Sequence, residues 1–209
     1  RVLICRAAYL ITKQDVSPSR LVLVTFTRRA ARQLTDRLAD LVGPKAQHVR
    51  AGTIHHFCYE TLRAYPEQAD VPEDFIVVDD TVTDAFWQRW YEAHERWCDR
   101  NDLGSYRQVK THVSRIKLGI DTVSGKLTAG LRAYGEMLAE RGALDFDDLL
   151  VKTRDLVRNH PDVRADLVDE TRAVLVDEFQ DTDPVQFDII RRLGDDGTHL
   201  YCVADDDQS

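Results

Sequence analysis

The sequence predicts an α/β fold, in which a parallel β-sheet with flanking helices is interrupted by an all-helical insertion. Three short apolar runs, at residues 21–24, 174–176 and 200–204, each end abruptly in polar residues. Near-continuous apolar strands of this kind are buried on both faces, as in a parallel sheet. Helical apolar spacing follows the first two runs, and alternation of strands and helices is typical of α/β proteins. We therefore expect residues 1–79 and 144–209 to form the two parts of a sheet domain, and residues 80–143 the insertion.

Two of the flanking helices have predictable limits. Gly43 and Pro44 end the helix after the first strand. Its predicted apolar face consists of Ala30, Ala31, Leu34, Leu38 and Leu41. Pro184 suits the first position of a later helix, with Asp183 as its N-cap. The apolar stripe of that helix is predicted to consist of Ile189, Ile190 and Leu193.

The insertion carries an aromatic face at helical spacing, which we expect to pack in its core. The rings of this face are Phe86, Trp87, Trp90, Tyr91 and Trp97. Further helical stretches surround Val113 and Ile116 and cover residues 131–138. The basic side chains of the insertion are Lys110, His112, Arg115 and Lys117. One hypothesis is that they contact duplex DNA, and the alternative, which we favour, is a solvated helix face.

The composition of the 209 residues is that of a globular protein, with 43% apolar and 31% charged residues. No stretch approaches the roughly 18 consecutive apolar residues of a membrane span, and nothing resembles an export leader. The four cysteines are far apart and are expected to be reduced and mostly buried. They are Cys5, Cys58, Cys98 and Cys202. These features predict a cytoplasmic protein with no membrane partner.

The net charge of −8 hides an asymmetry along the chain. Residues 1–63 contain 11 Lys or Arg and 4 Asp or Glu, whereas residues 160–209 contain 4 and 14. This distribution suits a protein that holds an anion at one place and a metal ion at another. The alternative is that both groups of charges are solvated surface.

The strongest chemical signal is the run at residues 174–181. A buried strand delivers Asp177 and Glu178 to its carboxyl end, where open α/β sheets bind their ligands. NTP hydrolysis needs such a pair, because one carboxylate holds Mg²⁺ and the next polarises the attacking water.

A second cluster follows the first strand and opens a helix, and it consists of Thr25, Phe26, Thr27, Arg28 and Arg29. Helix amides, hydroxyls and guanidiniums can bind phosphates while a ring stacks on a base, so this cluster predicts a nucleic-acid contact.

Several segments in a fixed order resemble motifs of superfamily 1 DNA helicases of the UvrD/Rep/PcrA type. VDEFQDTDPVQ, starting at Val176, resembles the Walker B segment of that family. VTFTRRAARQLTDRL, from Val24, and AGTIHHFCYETLR, from Ala51, are similar to its first and second DNA-binding motifs. VADDDQS, from Val203, resembles the start of its third helicase motif. LDFDDLL, from Leu144, resembles the segment with which that family returns from the helical insertion to the sheet domain. The resemblance covers essentially the whole chain and implies a RecA-like P-loop NTPase fold.

The resemblance also implies roles for individual residues. Asp177 would coordinate Mg²⁺, Glu178 would be the general base for water attack on the γ-phosphate of ATP, and Gln208 would bind and sense that phosphate. The residues that it assigns to DNA binding are Thr25, Phe26, Thr27, Arg28, Arg29, Thr53 and His55. The family usually has Asn-Lys in place of the two arginines, so the positive charge is retained. His56 stands where the family more often has a small residue and is left unassigned.

The implied activity is ATP-dependent movement on single-stranded DNA with duplex unwinding, usually 3′ to 5′, in repair or recombination. Single-stranded and duplex DNA and a second motor domain of the same parent chain are the implied partners, in the cytoplasm at a bacterial nucleoid.

The sequence contains no phosphate-binding loop of the form GxxxxGK[ST]. The nearest candidate, residues 119–127, has five residues between its glycines and Leu127 after its lysine. Residues 1–4 resemble the helix that follows this loop in the family. We therefore expect these 209 residues alone neither to hydrolyse ATP nor to unwind DNA, although the parent protein does both.

Two alternatives remain open. The first is a helicase subunit of a RecB-like or AddA-like recombination nuclease. Residues 205–209 have the sequence DDDQS, which favours a helicase of the UvrD type. The RecB-like and AddA-like proteins tend to have a sequence of the Gly-Asp-Pro-Lys-Gln type at this motif. The second is a non-catalytic DNA-binding paralogue, against which Asp177 and Glu178 both argue.

Overall fold

The computed structural model describes residues 2–122, 125–194 and 198–204. The chain divides into two compact units, which we call the sheet unit and the helical unit. The sheet unit comprises Arg1–Thr61 and Thr153–Ser209, and the helical unit comprises Leu62–Lys152. Elements are numbered in chain order, and the unit boundaries fall within α3 (Ile54–Ala64) and α7 (Phe146–Asn159).

Four parallel strands form the sheet, in the order β2-β1-β5-β6. They are β1 (Leu21–Thr25), β2 (Arg50–Thr53), β5 (Ala173–Val176) and β6 (His199–Cys202). The register places Leu23 opposite Ala51 on one side and Leu175 on the other. The remaining helices of this unit are α1 (Val2–Lys13), α2 (Arg28–Val42), α8 (Pro161–Asp169) and α9 (Pro184–Gly194). The parallel sheet with its helices confirms the predicted α/β, RecA-like fold class.

Burial along the strands follows their position in the sheet. β1 and β5 are buried along their whole length, which confirms two of the predicted strands. The third is present as β6, but the prediction that it is buried on both faces was wrong, because Leu200 and Cys202 are exposed. Among the described strands β6 pairs with β5 alone, so it lies at the edge of the sheet. β2 was not predicted, since its sequence Arg-Ala-Gly-Thr contains no apolar run.

The core of the sheet unit lies between α1, α2 and the central strands. Its largest fully buried members include Leu10, Leu23, Leu38 and Leu175. α2 ends at Val42 before Gly43, as predicted, and α9 begins at Pro184. Asp183 caps α9 through Oδ1, which accepts from the amides of residues 185 and 186 at 2.8 and 2.9 Å. Both helix predictions are therefore confirmed at these ends.

Two expectations about burial need correction. Leu41, assigned to the buried face of α2, is 55% exposed, and in the last turn of the helix it is Val42 that packs against the core. The cysteines are free, and Cys58 and Cys98 are buried, but Cys5 and Cys202 are exposed. Cys5 projects from the outer side of α1 and Cys202 lies on the edge strand, so the expectation that most are buried was wrong for these two.

The helical unit contains three principal helices and a pair of two-residue strands. They are β3 (Ile76–Val77), α4 (Asp80–Arg100), α5 (Tyr106–Lys117), α6 (Lys126–Glu140) and β4 (Ala143–Leu144). Trp87 and Tyr134 are fully buried at its centre, with ring centroids 5.5 Å apart. The other rings of the predicted aromatic face are packed against this cluster, so its core role is confirmed. None of the helices within the described residues is both long and apolar enough to cross a bilayer.

Candidate functional site

The two carboxylates of the DEFQD run lie directly after the central strand β5. The amide of Asp177 donates to the carbonyl of Val24 on β1, at 2.9 Å, which continues the β1–β5 pairing by one step. The amide of Phe179 donates to the carbonyl of Val203, also at 2.9 Å, beside the end of β6. The chain after β5 is therefore held by both neighbouring strands at the carboxyl edge of the sheet, where open α/β sheets bind ligands.

Glu178 adopts a left-handed backbone conformation, with φ 52° and ψ 46°. This conformation is unfavourable for residues that carry a Cβ atom. It turns the chain away from the direction of β5 and into a 3-10 turn at Phe179–Asp181. Within that turn the Gln180 amide Nε2 donates to Oε2 of Glu178 at 2.6 Å. The Glu178 carboxylate thus has a fixed neighbour at the mouth of the site.

Asp177 is half-buried beside a second carboxylate. Burial, and then the charge of adjacent Glu178, raise the pKa of Asp177 above its usual value. A divalent cation would relieve both effects, because it favours the ionised form of nearby carboxylates. Within the described residues no group of three or more His, Cys, Asp or Glu could hold a metal ion. The pair of carboxylates at Asp177 and Glu178 fits Mg²⁺, because this ion takes one or two carboxylates and completes its shell with water and phosphate oxygens.

The segment after β1 forms the N-terminus of α2. Thr27 is the N-cap, and its Oγ1 accepts from the Ala30 amide at 3.1 Å. The Thr25 hydroxyl donates to the Thr27 carbonyl at 2.9 Å, so both predicted hydroxyls shape the turn. Arg28 and Arg29 are exposed, and no carboxylate among the described residues lies within salt-bridge distance of either. This leaves two cationic side chains free at a helix N-terminus, where anions bind.

Phe26 is the aromatic side chain of this segment and is 44% exposed. Exposure of a large ring costs hydrophobic free energy in an isolated domain. A ring in this position can stack on a nucleic-acid base, as the sequence predicted.

The second predicted DNA segment lies at the start of α3. Thr53 ends β2, and its Oγ1 accepts from the amide of His56 at 3.2 Å, so Thr53 caps the helix. His55 is half-buried, and burial lowers its pKa although the charge of Asp183 opposes this. His55 is therefore predominantly neutral near pH 7, with an imidazole that can donate one hydrogen bond to a phosphate. His56 faces outward and pairs with Glu60 at 3.4 Å.

One small cleft, of about 50 Å³, is lined by five of the predicted residues, whereas Thr27, Arg28, Arg29 and Glu178 are not among its lining residues. Thr25 and Phe26 line it from the end of β1, Thr53 and His55 from the end of β2, and Asp177 from the end of β5. Because these three strands are parallel, their carboxyl ends meet at one edge of the sheet. The residues expected to bind DNA and the residue expected to bind Mg²⁺ are therefore neighbours.

Two polar residues of this cleft, Thr182 and the α9 residue Gln186, were not predicted from the sequence. Pro184 and the capping Asp183 correctly predicted where α9 begins. The position of Gln186, three residues after the cap, would have placed it in the first turn, facing back toward the strand ends. A polar residue at that point in an otherwise apolar stripe was the available signal.

Gln208, predicted to sense the γ-phosphate, lies outside the described residues, so its role stays a prediction. The alternative loop at residues 119–127 is described only in part, since Val123 and Ser124 also lie outside.

The four basic residues that the sequence singled out in the insertion each lie within salt-bridge distance of a carboxylate of the helical unit. His112 Nδ1 lies 3.2 Å from Asp121 Oδ2. Lys110 pairs with Asp80 at 2.9 Å and Asp84 at 2.5 Å. Arg115 pairs with Asp121 at 2.7 Å. Lys117 pairs with Asp145 at 2.6 Å and with Asp148 at 2.8 Å. These ion pairs compete with any phosphate, so this group offers less to DNA than the unpaired arginines of α2.

The fold and the site define an α/β RecA-like domain with two carboxylates and a cationic helix start at one edge of its sheet. The chain belongs to the UvrD/REP helicase family, because the UvrD/REP helicase N-terminal domain matches residues 1–209. It is similar to proteins named ATP-dependent DNA helicase PcrA from Staphylococcus aureus and Staphylococcus epidermidis, at 30% identity to each. The alignments cover 100% of this chain and 30% of the length of those relatives.

Proposed function

We propose that this chain is part of the first motor domain of an ATP-dependent DNA helicase. The observation that carries the proposal is the hydrogen bond between Asp177 and Val24, because it joins the carboxylate pair to the strand that ends in Thr25. A motor must connect a nucleotide site to a DNA site, and here the two candidate sites share one edge of the sheet. Family membership and the similarity to PcrA helicases support the same reading.

The proposed hydrolytic roles rest on two side chains. Asp177 would hold Mg²⁺, which when bound neutralises developing charge on the phosphates of ATP. Glu178 would accept a proton from the attacking water, and Gln180 would orient the Glu178 carboxylate through the 2.6 Å hydrogen bond. The left-handed backbone of Glu178 directs its carboxylate away from the line of β5.

The proposed DNA track follows the ends of β1 and β2. Arg28, Arg29 and the first turn of α2 would bind backbone phosphates, and Phe26 would stack on a base. Thr53 and His55 would contact the next phosphates. We further propose movement in the 3′ to 5′ direction in repair or recombination, with a second motor domain of the parent protein completing the ATP site, in the cytoplasm.

The 209 residues alone are expected to lack turnover, because their sequence contains no GxxxxGK[ST] loop to bind the β- and γ-phosphates. The deciding experiment therefore uses the full-length protein and measures ATP hydrolysis with and without single-stranded DNA. Glu178→Gln is measured beside it, with Glu140→Gln, at an exposed position of the helical unit, as the control.

We expect single-stranded DNA to stimulate hydrolysis by the wild-type and control proteins. Glu178→Gln should lower kcat about 10²- to 10⁴-fold while ATP still binds, since only the general base is lost. Full-length wild-type protein that binds DNA but never hydrolyses ATP would instead establish a non-catalytic DNA-binding protein.

A further inference from the structure

Gln186 is a buried polar side chain that the proposed roles above do not use. It lies in the first turn of α9, where its backbone amide donates to Asp183 Oδ1 at 2.9 Å. The residue is only 8% exposed. Its position is fixed by the cap at one end and by the buried neighbours Val185 and Ile189. The side chain therefore cannot turn out to solvent without disturbing the start of the helix.

Gln186 lines the cleft at the carboxyl edge of the sheet. None of the hydrogen bonds among the described residues involves this carboxamide. Neither polar atom of the carboxamide is among the fully buried side-chain atoms that lack a partner, so the carboxamide keeps access to the cleft that the residue lines. The arrangement indicates a group that acquires its partners when the site is occupied.

The groups that face Gln186 across the cleft belong to both candidate sites. The polar residues that line the cleft with Gln186 are Asp177 and Thr182 from the segment after β5, and Thr25, Thr53 and His55 from the segments after β1 and β2. A carboxamide has two N–H donors and one acceptor oxygen, so it can donate to a carboxylate and accept from a hydroxyl or imidazole at once. It carries no charge, so it can stand beside Asp177 without repelling it. A phosphate is a poor occupant of the same cleft, because the Asp177 carboxylate would oppose it.

We propose that Gln186 is a positioning residue that couples DNA binding to the magnesium–nucleotide site. When DNA seats on the segments after β1 and β2, the carboxamide bridges those segments to the Asp177 carboxylate and holds it in its metal-binding orientation. By thermodynamic reciprocity, the bound nucleotide then tightens DNA binding by the same factor. This inference rests on the proposed helicase function.

The test measures that factor directly in the full-length protein. The affinity for a fluorescent oligo-dT strand is determined with and without Mg²⁺ and a non-hydrolysable ATP analogue, and the ratio of the two is the coupling ratio. Gln186→Met keeps the size of the side chain and removes its hydrogen bonds. We expect it to reduce the coupling ratio at least about fivefold, toward one, by weakening DNA binding in the presence of the magnesium nucleotide, while the DNA affinity in its absence changes less than about twofold.

Two further variants sharpen the result. Gln186→Glu keeps the shape and an acceptor but cannot donate to Asp177 and adds a like charge, so it should lose coupling as Gln186→Met does. If Gln186→Met disturbs the packing, Gln186→Glu still tests the proposal. The thermal unfolding midpoint of each variant shows whether it is folded. Gln68→Met makes the same chemical change at an exposed position of the helical unit and should keep the wild-type ratio.

The outcomes separate this inference from the proposed function. A wild-type protein that binds DNA and magnesium nucleotide with coupling, together with an equally coupled Gln186→Met, overturns the role of Gln186 alone. Equal weakening of both separate affinities with the ratio retained shows a purely structural residue and also overturns it. A wild-type protein that binds no magnesium nucleotide overturns the proposed function itself.

Discussion

The amide of Asp177 and the carbonyl of Val24 are joined by a 2.9 Å hydrogen bond. Val24 is followed at once by Thr25, the first of the proposed DNA-binding residues, and Asp177 begins the carboxylate pair. A displacement of either strand end must therefore strain or break this bond. The two candidate sites need no long relay between them, because adjacent parallel strands bring them together.

Arg28 and Arg29, which pair with no carboxylate in the described part of the chain, should give single-stranded DNA binding much of its salt dependence. For a single strand, removing one cationic side chain from a phosphate lowers the magnitude of the slope of log affinity against log salt by about 0.7. We expect Arg28→Ala and Arg29→Ala in the full-length protein each to do so. Binding titrations over a range of salt concentrations measure this slope.

Arg115→Ala is the matched control, because the Arg115 guanidinium is already held by both oxygens of Asp121 at 2.7 and 2.9 Å. Its slope should equal that of the wild-type protein. An equal change in the control would show that general charge, and not the start of α2, governs binding.

The left-handed backbone of Glu178 predicts that glycine destabilises the fold less than alanine at this position. Glycine adopts this conformation without the Cβ penalty, whereas alanine does not, and both remove the bond from Gln180. We expect Glu178→Gly to be about 1 kcal/mol more stable than Glu178→Ala, with neither hydrolysing ATP in the full-length protein. Urea denaturation gives the difference, and equal stabilities would argue against backbone strain at this residue.

The ion cluster around Lys117 should make the helical unit sensitive to pH when the lysine is removed. Lys117 is 14% exposed and Asp145 7%. Burial raises the pKa of Asp145, but the ion pair with Lys117 outweighs this and lowers it below the usual value. Burial dominates at Asp148, and its pKa is raised. Without the lysine both carboxylates would have pKa values above those of the unfolded chain.

Lys117→Met should therefore destabilise the protein by about 3 kcal/mol at pH 7, where both unpaired carboxylates are charged. The penalty is complete above the raised pKa values of the variant and shrinks as the pH falls through them. The part that comes from the lowered pKa of Asp145 in the wild-type protein is lost only below the unfolded value of about 3.9. Denaturation followed by circular dichroism at pH 7 and pH 4 measures this. Lys126→Met, at an exposed site, should show no such pH dependence, and a penalty independent of pH would exclude this electrostatic cause.

Two glycines of α6 provide a matched pair for packing in the helical unit. A Cβ atom on Gly130 would lie 2.6 Å from Nε1 of Trp90 and 3.3 Å from Trp87, whereas nothing lies within 4 Å at Gly135. Gly135→Ala should stabilise the helix by up to about 1 kcal/mol. Gly130→Ala should cost about 1–3 kcal/mol, because the packed indoles must move. The thermal unfolding midpoints of both variants measure these changes. Equal stabilisation by the two substitutions would show that the indole rings move aside without a cost in stability.

The sequence predicted those parts of the fold whose residues carry a local pattern. Continuous apolar runs identified β1 and β5, and Asp183 with Pro184 identified the start of α9. β2 was missed because an edge strand needs no apolar run. The exposure of Leu200 in β6 could not be read from an equally apolar run, because burial depends on which strand lies beside it in the finished sheet.

The candidate site was predicted in its residue types but not in its geometry. Asp177 and Thr25 were both placed at strand ends, yet only the strand order makes them neighbours. The left-handed backbone of Glu178 follows from tertiary contacts on both sides of the turn, which no local pattern encodes. Likewise, the pairing of Lys117 with Asp145 and Asp148 joins residues 28 and 31 positions apart in the chain, which spacing rules for a single helix do not reach.

The aromatic core of the helical unit has a spectroscopic consequence. The chain has three tryptophans, and Trp87, Trp90 and Trp97 all lie in that unit. Indole emission consequently reports on the helical unit alone, while far-ultraviolet circular dichroism reports on the helices of both. Recording the two signals during a single denaturant titration distinguishes independent unfolding of the units, which gives separate midpoints, from concerted unfolding, which gives one.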